Sequence, residues 1–165
     1  MGIYKSEKGK EAILALYDEQ LSRIKCPYKD IWVNTTFGKT HLIETGNMSG
    51  EPLLVLHGGN ATTAYNLLAL DFLMEDYHIY AVDIIGHPGK SAESCLSSKG
   101  YDYGEWTSQV ITELGFDSIS CCSGSFGAGV IKKTTQETLK VNKLVEEYKI
   151  DNFNTGMTVV TLRKR

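Results

Sequence analysis

Three short apolar runs, each leading into a loop of small residues, constrain this chain more than any other feature. Pro52-Leu53-Leu54-Val55-Leu56 leads into His57-Gly58-Gly59-Asn60. His78-Ile79-Tyr80-Ala81-Val82-Asp83-Ile84 leads into Gly86-His87-Pro88-Gly89-Lys90-Ser91, and Ile119-Ser120-Cys121-Cys122 leads into Ser123-Gly124-Ser125-Phe126-Gly127. Continuous apolar runs of this length suit strands covered on both faces. Between them, residues 61–75 and 103–114 carry apolar side chains at helical spacing, the second ending at Gly115. Alternating strands and helices imply a parallel sheet with right-handed crossovers. Loops at the carboxyl ends of such strands converge on one edge, where ligands bind. All three glycine-bearing loops fall on that edge.

The flanks are plainer. Residues 8–25 form an amphipathic pattern through Ile13, Leu14, Leu16, Tyr17, Leu21 and Ile24, closed by Pro27. Residues 30–36 and 40–45 alternate as two strands about the turn Phe37-Gly38-Lys39, an antiparallel hairpin opening the domain. His41, in its second strand, reads as a surface residue. Beyond the third loop, Lys132 to Thr138 is polar, and burying such lysines unpaired is costly. From Leu139, Val141, Leu144, Val145 and Tyr148 define a helical face. Residues 151–156 form a turn, and Met157 to Leu162 a sixth strand.

Ser123-Gly124-Ser125-Phe126-Gly127 carries the chemistry. An apolar strand, a turn of small residues holding one serine, and a helix start form a nucleophile elbow, with serine in the first small position instead of glycine. The turn strains the backbone at the serine and needs small neighbours so that the helix packs close to the strand.

Composition excludes several other classes. A chain of 165 residues with 42% apolar and 22% charged residues fits one soluble domain. A net charge of -3 gives no case for nucleic acid, and no apolar run approaches a membrane span or a secretory signal. The four cysteines (Cys26, Cys95, Cys121, Cys122) lack C-x-x-C spacing and read as reduced apolar fillers, which points to a cytoplasmic compartment. The glycine order fits neither the Rossmann fingerprint nor a P-loop, so it is no nucleotide fingerprint; no cofactor and no metal are expected.

Leu56-His57-Gly58-Gly59, the turn Asp83-Ile84-Ile85-Gly86-His87-Pro88-Gly89-Lys90-Ser91 and Ser123-Gly124-Ser125-Phe126-Gly127, in that order and spacing, resemble the α/β-hydrolase family, in particular its small esterase-like and lipase-like members. The resemblance covers roughly residues 28–131. It implies an α/β three-layer sandwich in which the N-terminal antiparallel hairpin leads into a parallel sheet, cut short after the elbow helix. Residues 1–27 would be a helical flank, 28–131 the first half of the hydrolase core, and 132–165 a diverged charged helix plus a strand. It further implies that Ser125 attacks a small-molecule ester or related acyl carbonyl. The backbone N–H groups of Gly59 and Phe126 would hold the oxyanion. His57 would brace its loop, while Asp83 and Ser91 shape theirs.

The catalytic base has no counterpart in these residues. The family order is serine, acid, histidine, yet all four histidines (His41, His57, His78, His87) precede Ser125. Glu146, Glu147 and Asp151 are candidate carboxylates, and His87, on the active edge, is the one candidate substitute base. Impaired catalysis is therefore expected, whether the chain is a fragment, a degenerate homologue, or one whose histidine comes from a partner. The alternative is a non-catalytic binding or interaction module, using Gly124 to Gly127 at a helix start to hold an anion. A half sheet also leaves an unpaired edge open to self-association.

Overall fold

The computed structural model describes residues 2–59, 61–97, 100–116, 118–123, 145–150 and 157–162. Helix α1 spans Glu7–Leu21, starting where the Ser6 side chain accepts a bond from the Gly9 N–H. Strands β1 (Tyr28–Thr35) and β2 (Gly38–Gly46) form the expected antiparallel hairpin, Tyr28 pairing with Thr45 and Thr35 with Gly38. Strand β3 (Glu51–Leu56) is followed by α2 (Thr63–Ala69), capped by Thr62, and by a 3-10 turn over Asp71–Met74. Strand β4 (Tyr77–Val82), helix α3 (Asp102–Glu113) and strand β5 (Ser118–Ser123) complete the alternation.

The sheet order is β1-β2-β4-β3-β5-β7-β6, where β6 is Val145–Ile150 and β7 is Met157–Leu162. Strand β3 runs parallel to both β4 and β5, and β4 pairs antiparallel with β2. An N-terminal antiparallel hairpin thus leads into a parallel core, as the motifs implied.

Helices cover both faces. Leu54 and Leu56 of β3, Val82 of β4 and Cys121 of β5 join Tyr103, Trp106, Val110 and Ile111 of α3 in one apolar cluster. The intervening Leu53, Val55, Ala81 and Cys122 point the other way, onto Tyr17 and Leu21 of α1 and Ala64 and Leu67 of α2. Period-two alternation therefore divides each continuous apolar run between two cores. Trp106, 1% exposed, reaches across to donate from Nε1 to Thr40 Oγ1 at 2.8 Å, so its indole N–H is satisfied on burial.

The C-terminal part differs from expectation in one respect. Of the helical reading from Leu139, residues 139–144 lie outside the described residues, and from Val145 the backbone is instead extended and pairs antiparallel with β7 through a register shift between Val145 and Glu147. Strand β7 offers these residues backbone pairing along one side, which outweighs a weak helical periodicity. The strand expected at 157–162 is present as β7 and lies antiparallel on β5, Cys122 opposite Met157. The edge of β5 is therefore paired within the chain, and β1 and β6 are the outermost strands.

Candidate active-site edge

The site is built from the level ends of three strands. Leu56 of β3 pairs with Val82 of β4 and with Ser123 of β5, so the chain leaves all three strands at the same height. His57, immediately after β3, is 1% exposed and committed at both ring nitrogens. Its Nε2 accepts the Ile84 N–H at 3.1 Å, so Nδ1 carries the proton and donates to the Gly58 carbonyl at 2.9 Å. Burial holds its pKa below the ordinary imidazole value, against the opposing pull of the Gly58 carbonyl and the Asp83 charge. His57 is a neutral strut between the β3 and β4 loops. It cannot serve as a base without dropping one of these bonds.

Gly59 is half-buried on this edge, and the Gly58 carbonyl also accepts the Ala61 N–H at 3.1 Å, closing the turn into α2. Asp83 and Ser91 brace the second loop. Asp83 Oδ2 accepts the Lys90 N–H at 2.8 Å; Ser91 Oγ donates to the Asp83 carbonyl at 2.6 Å and accepts the His41 N–H at 2.8 Å. Gly89 is needed for space: a Cβ there would lie 2.6 Å from Asp83 Cγ. The Tyr4 hydroxyl pins this loop from outside, accepting the Gly89 N–H at 3.1 Å and donating to the Gly89 carbonyl at 3.2 Å.

His41 corrects the surface reading. It is fully buried, because β2 lies inside the sheet between β1 and β4 and is covered by α1 and by the 83–91 loop. Its Nδ1 lies 2.7 Å from Asp83 Oδ2 and its Nε2 2.7 Å from Asp30 Oδ1, with Trp32 tilted against the ring at 4.6 Å. The strand pattern alone does not reveal this; the available signal was three polar residues, Asp30, His41 and Asp83, in otherwise strand-like segments. His78 lies at the opposite end of β4, 2.8 Å from Glu44, and takes no part in the edge.

His87 does lie on the edge. Its ring centroid is 5.8 Å from that of His57 and 6.2 Å from that of Tyr103. Burial, reinforced by His57, lowers its pKa against an opposing bond to the Gly59 backbone. It is therefore uncharged near neutrality. Ser125, Phe126 and Gly127 lie outside the described residues, as does Asp151; Glu146 and Glu147 are described only as backbone of β6. No group of three or more His, Cys, Asp or Glu able to hold a metal occurs among the described residues. Nor is any described helix long and apolar enough to cross a membrane.

No protein-family model matches the chain. Individual proteins do. It is 33% identical over 115 residues to carboxylesterase YbfK of Bacillus subtilis strain 168, covering 70% of this chain and 39% of that protein. It is 35% identical over 113 residues to the uncharacterized carboxylesterase nap of the same organism, covering 67% and 37%. Among solved structures, naproxen esterase (carboxylesterase NP) from Bacillus subtilis superposes with a TM-score of 0.69 at 29% identity, over 82% of this chain and 46% of that one. The chain thus spans less than half the length of the carboxylesterases it matches.

Proposed function

Because the chain belongs to the α/β-hydrolase family across the stretch it shares with these carboxylesterases, we propose that it acts on carboxylic esters or related small acyl substrates, with Ser125 as nucleophile. Ser125 Oγ adds to the substrate carbonyl carbon as its proton passes to His87 or water, and that proton returns to the alkoxide as the alcohol departs. The tetrahedral oxyanion is held by the N–H groups of Gly59 and Phe126 and collapses with loss of the alcohol, leaving an acyl-enzyme that water hydrolyses. Fixed donors of this kind each contribute about 3–4 kcal/mol to transition-state stabilisation.

The observation that carries this reading is the level ending of β3, β4 and β5, with His57 locking the Gly58–Gly59 turn beside the end of the strand that leads to Ser125. Position 59 supports it further, since glycine lets the backbone approach a substrate without an intervening Cβ. These 165 residues hold no histidine after Ser125. Catalysis by this chain is accordingly weak, sustained by the oxyanion donors, with uncharged His87 the one histidine on the edge able to receive a proton. A cytoplasmic setting with reduced thiols, and self-association along an outer strand, belong to the same reading.

The test is reaction with a fluorophosphonate probe and turnover of a p-nitrophenyl ester panel by the parent and Ser125→Ala. Labelling and slow turnover that vanish in the variant are expected. If neither depends on Ser125, the chain is not itself catalytic. The missing downstream histidine then favours the non-catalytic binding module.

A further inference from the structure

The most unusual feature of the described residues lies behind the proposed site. A buried imidazole is held between two carboxylates, each 2.7 Å from a different ring nitrogen. Carboxylate oxygens only accept, so both nitrogens must donate, and that is the doubly protonated ring. The charged and titratable groups around it come from every element packed against it. Asp30 stands on β1, Asp83 at the end of β4, and Lys90 on the following loop, its Nζ 3.5 Å from Asp30 and 2.9 Å from Asp18 of α1. The Tyr17 ring of α1 lies 6.4 Å from the His41 ring and 5.0 Å beneath the Lys90 ammonium.

These bonds form a continuous path. Asp30 holds His41, His41 holds Asp83, and Asp83 fixes the strand end from which the adjacent Ile84 N–H bonds to His57. His57 in turn holds the Gly58 carbonyl. We infer that His41, as an imidazolium clamped by Asp30 and Asp83, is a positioning residue that sets the Gly58–Gly59 turn through Asp83 and His57. The inference rests on the hydrolase reading only for what that turn does. The coupling itself is a property of the fold.

The experiment uses the whole chain labelled with 15N. Long-range imidazole spectra of His41 should show both ring nitrogens protonated, one facing Asp30 and the other Asp83. A neutral ring overturns the clamp. Amide exchange at Ile84 then reads the coupling. Asp30→Asn, at a half-exposed position, keeps size and removes one charge, and should speed Ile84 exchange about tenfold. The control Glu19→Gln, whose partner Arg23 is exposed, should leave that exchange unchanged. His41→Gln should act in the same direction; if it does not fold, Asp30→Asn decides alone. Ile84 exchange within twofold of the parent at every pH overturns the inference. Fluorophosphonate labelling of Ser125 is scored separately: its absence with Ile84 coupling intact defeats the hydrolase reading alone.

Discussion

Replacing His57 by phenylalanine keeps a planar ring of similar size in the same pocket and removes two polar atoms. The Ile84 N–H, buried at a residue with 0% exposure, loses its acceptor, which costs about 1–3 kcal/mol. The Gly58 carbonyl loses one donor but keeps the Ala61 N–H, so its share is about 0.5–1.5 kcal/mol. The sum, about 1.5–4.5 kcal/mol, is a large fraction of the 5–15 kcal/mol typical of a domain. It should lower the urea midpoint by roughly 1–2 M at an m value of about 2 kcal/mol/M. The pH dependence gives a second, independent reading. Burial depresses the folded pKa of His57, so the unfolded chain binds the proton more readily. The resulting stability is fully present above the ordinary value of 6.5 and is lost as pH falls toward the lower folded value. Each such histidine adds a slope of up to about 1.4 kcal/mol per pH unit in that window. His57→Phe should therefore flatten the acid limb without abolishing it, because His87 is shifted in the same direction. Urea melts from neutrality down to about pH 5 check both effects. A cost below about 0.5 kcal/mol, or an acid limb as steep as the parent's, would show that His57 is not a buried neutral strut.

Further outcomes follow from other parts of the structure. Gly86 and Gly115 both have positive φ, +73° and +77°, but differ in surroundings: a Cβ on Gly86 would lie 2.7 Å from the Ser94 carbonyl oxygen, whereas nothing lies within 4 Å at Gly115. Gly115→Ala should cost about 1 kcal/mol and Gly86→Ala about 3 kcal/mol or more by thermal denaturation, the difference measuring contact and not backbone conformation. Trp106→Phe should cost about 2–3 kcal/mol, since it removes core volume and orphans Thr40. Adding Thr40→Val should cost less than the sum of the single changes, which a double-mutant cycle tests. Burial pushes the Cys121 thiol up to about 12 and the Cys122 thiol upward as well, while Cys95 is exposed. Timed iodoacetamide labelling of the folded chain should modify Cys95 before either buried thiol, and comparable early labelling of Cys121 would contradict its place in the core.

Much of this molecule was legible in one dimension because strand and helix signals are local. The apolar runs at 52–56, 78–84 and 119–122 became β3, β4 and β5, and the expected hairpin formed, though its turn falls at Thr36 and Phe37, with Gly38 and Lys39 already paired in β2. The order of the three glycine-bearing loops identified the family, and His57 braces its loop with both nitrogens, the role that the family resemblance implied. Two things were settled only by packing. Residues 145–150 carry helical spacing, but a ladder with residues 157–162 outweighs it. His41 belongs to an ordinary-looking hairpin strand. Its burial, and its two carboxylate neighbours from positions 30 and 83, follow from β2 lying between β1 and β4. Periodicity reports which face a residue shares with its near neighbours in sequence. Which strand lies alongside, and so whether a histidine meets water or two carboxylates, depends on contacts between residues far apart in the chain.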